Sequence, residues 1–181
     1  MNLIGIINDE DTKSNIFPTA IKNWDARIAV RAALFNNEGK VALMHIGKYD
    51  MYKLPGGGVD QEEDLATAFV REMKEETGCE AKAVGDLGVF IEHRGEWELA
   101  QVSFCYLAEV INEGELNLTE EEIEEKFSLQ WYEIDGAIKR ISESKSERYG
   151  DRYIRIRDAQ ILKTAKLLKN NMVRTISSNV M

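Results

Sequence analysis

Between positions 56 and 79 the chain reads GGGVDQEEDLATAFVREMKEETGC, three glycines followed by a segment of helix length, and no other stretch restricts the fold as strongly. Leu65, Phe69 and Met73, with Ala66 beside them, recur at helical spacing. This predicts a helix over 64–77 that Gly78 terminates in the left-handed manner. In the same projection Glu72, Glu75 and Glu76 fall within a sector of about 100° that overlaps the edge of the apolar stripe, with Glu76 between Leu65 and Phe69. A carboxylate there loses hydration, and three neighbouring carboxylates repel one another, so the arrangement calls for positive charge at its centre. An acidic run is ordinarily a solvated helix face; the position of Glu76 and the flanking glycines argue against that here. Carboxylates without histidine or thiol partners select hard cations, Mg²⁺ first and Mn²⁺ next. Because Mg²⁺ commonly shares its shell with substrate phosphates, the segment points to phosphate chemistry.

The spacing Gly57-x5-Glu63-x7-Arg71-Glu72-Met73-x-Glu75-Glu76-x-Gly78-Cys79 resembles the Nudix box, Gly-x5-Glu-x7-Arg-Glu-U-x-Glu-Glu-x-Gly-U, where U is a bulky apolar residue. Seven specified residues match together by chance about once in 10⁸ trials, which makes coincidence a poor explanation. Cys79 fills the last apolar position, and Glu62 stands where many members carry glycine. The Leu54-Pro55 lead-in and the segment 131–135 resemble Nudix proteins as well. The resemblance implies a Nudix fold, a mixed β-sheet sandwiched between helices. It also implies Mg²⁺-dependent hydrolysis of a diphosphate by water attack at phosphorus. Carried over by position, the catalytic set is Glu63, Arg71, Glu72, Glu75 and Glu76. Glu72, Glu75 and Glu76 are the implied metal ligands, and Arg71 pairs with Glu63 to fix the loop against the helix. Gly57 and Gly58 let the backbone turn beside the metal and the substrate. Family members take their general base from the box or from a later loop. In the run 120–125, Glu122 is the candidate for an added metal ligand or base, with a solvated loop an equal reading for any member of that run.

Elsewhere ARIAVRAALF over 26–35 alternates with period two, and a turn at 36–39 leads to an apolar run over 41–46, predicting a hairpin. Further strands are expected over 87–92, 97–110 and 127–134, and helices over 135–142 and 155–169. The class is therefore α/β in the broad sense, α+β with a mixed sheet. Residues 1–25 read as an N-terminal extension and 26–181 as a single Nudix domain with a C-terminal helix. Arg31 shares a strand face with Arg27, Ala29 and Ala33, which makes it either a cleft arginine for phosphate or an ordinary surface residue. Phe35, Tyr52 and Trp97 are available to stack on a base, and Tyr52 is counted with Arg31, Gly57 and Gly58 as a substrate-binding candidate. The cluster Arg148, Arg152, Arg155 and Arg157 fits phosphate binding, a subunit contact or an exposed helix start.

The 23 basic and 32 acidic residues give a net charge of -9, which disfavours nucleic-acid polymers and anionic lipid surfaces as partners. No apolar run approaches a membrane span. Cys79 and Cys105 match no zinc pattern and suit a reduced, cytoplasmic setting. The signatures that mark ADP-ribose and diadenosine polyphosphate members beyond the box are missing: the prolines are Pro18 and Pro55, and Gly95, Glu96 and Trp97 stand at the tyrosine positions. Elimination leaves a small nucleotide diphosphate, a nucleoside triphosphate or a relative, as the substrate. Two alternatives share the fold. A ligand-sensing module usually loses box carboxylates, and all are present here. An isoprenoid-diphosphate isomerase would give Cys105 a role, although its alternating strand suits a buried structural thiol. Phe17, Ile21 and Trp24, apolar and outside the box domain, predict a homodimer.

Overall fold

The computed structural model describes residues 1–13 and 24–178, with side chains through 171. Strand β2 (Asp25–Phe35) lies within the sheet, and its alternation sends successive side chains to two different cores. Val30, Ala32 and Leu34 meet Ala68, Phe69 and Met73 of helix α1 (Leu65–Thr77) on one face. Ala33 and Phe35 turn to the other face, where α3 (Ile134–Ser142) and α4 (Tyr149–Ser178) supply Ala137, Ile141, Ile161, Leu162 and Ala165. Helices thus cover both faces of one seven-stranded mixed sheet, the layered arrangement that two apolar strand faces require.

The sheet runs β1 (Leu3–Ile7), β5 (Glu80–Arg94), β6 (Leu99–Asn112), β2, β3 (Val41–Ile46), β4 (Met51–Lys53), and β7 (Phe127–Tyr132) joins the free side of β3. β6 is parallel to β2 and antiparallel to β5, and β1 is parallel to β5. The first residues therefore belong to the sheet rather than standing apart from it. Phe17 and Ile21 lie outside the described residues, while the Trp24 ring meets His93 edge-on with centroids 6.3 Å apart.

Several boundaries differ from the sequence expectation, among them β7, which ends at Tyr132, and α4, which runs on to Ser178. β5 is longer than 87–92 because register shifts near Gly85 and Gly88 absorb residues that break strict alternation. Trp97 sits in a single helical turn, Gly95–Trp97, instead of opening β6. α4 begins six residues before 155, since Tyr149 and Tyr153 continue its buried side.

What positions the site is a split in the sheet. β2 and β3 pair only at Phe35 and Val41, next to the turn. Beyond that point β4 takes the edge of β3, and the chain from residue 54 to residue 59 crosses back to β2. There Val30 N–H donates to Gly57 O (2.9 Å), Ala32 N–H to Pro55 O (3.1 Å), and Val59 N–H to Ile28 O (2.9 Å). The glycine loop is thereby built into the sheet with its open side toward α1. Among the described residues no helix is long and apolar enough to cross a membrane.

Candidate active site

Helix α1 is capped by Asp64, whose carboxylate accepts the Thr67 N–H at 2.7 Å, and it ends at Gly78 with φ +70°. A Cβ at Gly78 would lie 2.5 Å from Glu115 O, so glycine is needed both for its backbone angle and for the close approach of the 114–116 segment. These caps set the phase of the helix and with it the direction of its carboxylates.

Arg71 is the hub. Its Nε and Nη2 donate to the two oxygens of Glu63 at 3.0 and 2.8 Å, a bidentate pair that ties the loop to the helix. Nη1 donates to Glu72 (2.9 Å) and Glu75 (3.0 Å), and Nη2 also reaches Gly58 O at 2.9 Å. The guanidinium holds the Glu63 carboxyl below its ordinary range, and Glu63 in turn raises the pKa of Arg71.

Side-chain exposure grades the carboxylates: about 10% for Glu72, 15% for Glu76 and 60% for Glu75. Helical projection places Glu76 nearest the apolar stripe, yet Glu72 is the least exposed of the three, because the glycine loop covers it. A Cβ placed on Gly57 would stand 2.3 to 2.5 Å from the carboxylate atoms of Glu72. Burial accordingly pushes the Glu72 carboxyl above its usual pKa, with Arg71 acting against it. Glu76 accepts the Gly56 N–H at 2.7 Å and pairs with Lys53 Nζ at 2.6 Å. Lys53 lies outside the box, and nothing in its local sequence marks it for this contact.

A cavity of about 620 Å³ opens beside these groups, lined by Glu72, Glu75, Glu76, Glu115 and Glu122, with Lys74 among them. Glu122 thus shares the cavity, although its carboxylate also caps its own short helix α2 (Glu120–Glu124) by accepting from Thr119 N–H at 2.8 Å. Glu115 has no sequence signal of its own. Among the described residues no three carboxylate, histidine or thiol side chains already converge in metal-holding geometry; Arg71 and Lys53 neutralise the carboxylates. The donor chemistry nonetheless fits a hard divalent cation. Glu72 is a desolvated carboxylate, Glu75 and Glu76 sit on the same side of α1, and the cavity beside them is lined by acidic side chains.

The remaining candidates divide. Gly58 lies over Arg27, whose guanidinium would be 3.0 Å from an added Cβ. Arg31 is buried beneath the sheet on the α4 face, donating to Val30 O at 3.1 Å. Its Nε has no hydrogen-bond partner among the described residues, and burial together with nearby Arg157 lowers its pKa to about 10. Tyr52 is not brought to the site. It is buried, its ring stacks on His45 with centroids 4.4 Å apart, and a second face meets Tyr132, so no side is open to a base. Phe35 is buried under Lys169. Trp97 keeps an exposed face while packing edge-on to Tyr149.

The four arginines of α4 and its approach part company, each with a contact within the chain. Arg148 covers Tyr49, Arg152 donates to Thr12 O, Arg155 donates to Ser144 O, and Arg157 enters the core. Cys105 is buried, its thiol driven up to about 12 by desolvation, which leaves it unsuited to acid–base work near neutrality.

The NUDIX domain profile matches residues 25–151. A mouse diphosphoinositol polyphosphate phosphohydrolase 3-alpha is 30% identical over 123 residues, covering 67% of this chain and 70% of the relative. A human diphosphoinositol polyphosphate phosphohydrolase is 28% identical over 103 residues; the match covers 56% of this chain and only 54% of the human protein. Two solved structures share the fold at 20% identity. One is a UDP-X diphosphatase, with TM-score 0.54, covering 80% of this chain and 64% of its own. The other is a MutT protein from Methanosarcina mazei Go1, with TM-score 0.51 and coverage of 75% and 94%.

Proposed function

Because the chain belongs to the NUDIX domain family, we propose that it is a divalent-cation-dependent pyrophosphohydrolase that cleaves the diphosphate of a small nucleotide. The observation that carries this reading is the gathering of Glu72 and Glu75 by Arg71 and of Glu76 by the Gly56 N–H, at the wall of an acidic cavity. Glu72, Glu75 and Glu76 would hold Mg²⁺ or Mn²⁺, with Glu122 the nearest candidate for a further ligand or a base. The cation supplies charge neutralisation of the diphosphate and acidification of the attacking water. The chain's own residues do the rest. Arg71 fixes the spacing of the carboxylates, Glu63 holds Arg71, and Gly57 and Gly58 keep the loop backbone close. Lys53, paired with Glu76 at 2.6 Å, would be placed to meet a phosphate oxygen if Glu76 held a cation.

The charge of the cavity favours a substrate with few phosphates. Five carboxylates face it against Lys74, and a ring bearing many phosphate groups would be repelled there until several cations were bound. The relatives named for diphosphoinositol polyphosphates make the opposite reading a necessary arm of the test. Incubation with Mg²⁺ and nucleoside triphosphates, nucleotide sugars, dinucleotides and an inositol pyrophosphate, with products identified by mass, decides it. Nucleotide cleavage that stops in excess EDTA is expected. Turnover confined to the inositol pyrophosphate would overturn the substrate, and full turnover in EDTA would overturn the mechanism.

Homodimerisation and a cytoplasmic setting belong to the same reading. The edge strand β1 exposes Leu3 and Ile6, and both thiols are unpaired and buried. Light scattering that gives a monomer at micromolar concentration would remove the dimer.

A further inference from the structure

The glycine loop has two backbone donors near its start, because Pro55 carries no N–H between Leu54 and Gly56. Each is taken by a carboxylate. Gly56 N–H donates to Glu76, and Leu54 N–H donates to Asp158 Oδ2 at 2.8 Å from the far side of the sheet. Asp158 is fully buried, as is Leu54. Its other oxygen accepts Arg157 Nε at 2.7 Å; Arg157 donates to Glu92 at 3.1 Å, and Glu92 also accepts from Arg94 (2.8 Å) and Gln101 (2.5 Å).

Such a network is a costly way to fill a core, since apolar residues of similar volume commonly stabilise at least as well. What apolar residues cannot do is accept the Leu54 N–H. Following the chain from that bond, Pro55 O and Gly57 O receive N–H groups of β2, Gly56 N–H meets Glu76, and the Gly57 Cα stands over Glu72. One end of the loop is thus set by Asp158 and the other by β2. Between them lie the contacts that orient two of the box carboxylates.

We propose that Asp158 is a positioning residue for the cation site: through the Leu54 N–H it holds the loop in the register that aims Glu72 and Glu76. The inference rests on the reading of those glutamates as cation ligands. An asparagine there has one acceptor for two donors, so Asp158→Asn must give up either Leu54 or Arg157.

The test is Mn²⁺ binding to the metal-free chain, read by electron paramagnetic resonance, with amide exchange of Leu54 and Gly56 followed alongside. Asp158→Asn is expected to weaken Mn²⁺ binding about tenfold or more and to speed exchange at both amides. Ile161→Ala, which removes buried apolar bulk from the same helix, is expected to lower stability while leaving Mn²⁺ binding within about twofold. Asp158→Asn binding Mn²⁺ like the parent, or Ile161→Ala losing it equally, overturns the proposal. Should Asp158→Asn not fold, the unmodified metal-free chain decides: strong protection at Leu54 supports the proposal, and exchange at open-loop rates refutes it. If the unmodified chain binds no Mn²⁺, the metal reading fails, and the two amides, compared between the Asp158→Asn and Ile161→Ala chains, still decide whether Asp158 holds the loop.

Discussion

Three consecutive glycines stand in three different environments, so replacing each with alanine should have three different results. At Gly57 the added Cβ lies 2.3 Å from a Glu72 oxygen, and ordinary contact begins near 3.4 Å, so the carboxylate must retreat by about 1 Å. It cannot do so freely, because Glu72 is buried and tied to Arg71 at 2.9 Å. A misplacement of that size at a reacting centre costs about a hundredfold in rate, so kcat of Gly57→Ala should fall by about that factor. That corresponds to about 2.7 kcal/mol of transition-state stabilisation. Stability should fall less than at Gly56, because the obstacle is a side chain and not backbone. At Gly58 the neighbour is the flexible guanidinium of Arg27 at 3.0 Å, and Gly58→Ala should stay within about fivefold of the parent. At Gly56 the Cβ meets the backbone oxygen of Val30 at 2.2 Å on a residue with φ +129°. There the fold itself pays: a loss of about 3 kcal/mol or more is expected, near 10 °C in Tm for a chain of this size. Thermal melts and single-substrate kinetics on the three variants separate these outcomes. If Gly57→Ala keeps kcat within about threefold, or if Gly58→Ala is as damaging, then Glu72 is not held to a required position and the reasoning is refuted.

Glu76→Gln should lower kcat about a hundredfold or more, about 2.7 kcal/mol, because an amide replaces a hard anionic ligand; near-normal turnover at saturating Mg²⁺ would return the site to Glu72 and Glu75 alone. Glu122→Gln should reduce kcat at least about fivefold through its place on the cavity wall, whereas Glu124→Gln should change it less than about twofold, as steady-state kinetics will show. Glu92 has a folded pKa of about 2: burial raises it, but Arg157 and Arg94 together pull it down. Its folded value lies below the unfolded one, so its stabilisation is present above about pH 4.5 and is lost as pH falls toward 2. Urea titrations across that window should show the loss, of order 3 kcal/mol, and Glu92→Gln should flatten the dependence while destabilising the protein near neutrality; an unchanged acid slope would count against the buried pairing.

Helix α1 with both its ends was legible from residues 64–78 alone, and so was the grouping of Glu72, Glu75 and Glu76 along its axis. Caps, apolar spacing and same-face carboxylates act between residues a few positions apart, so the local chain determines them. The two-faced alternation of β2 likewise announced a sheet covered on both sides. The depth order of the carboxylates was not legible, because Glu72 is desolvated by the Gly57 backbone, and that contact exists only after the loop has crossed the split between β2 and β3. The same holds for Tyr52, which sequence offered to a nucleotide base and the sheet gives to His45 and Tyr132. The pairing of β1 was not legible, since a five-residue strand has no partner signal until β5 is there to pair with it. Asp158 lies 104 positions from Leu54, in a helix that sequence marks only by its apolar stripe. A polar residue at such a place reads as surface until the fold buries it, because the sequence carries spacing along the chain, whereas burial and the partner of a buried charge are set by which distant segments meet.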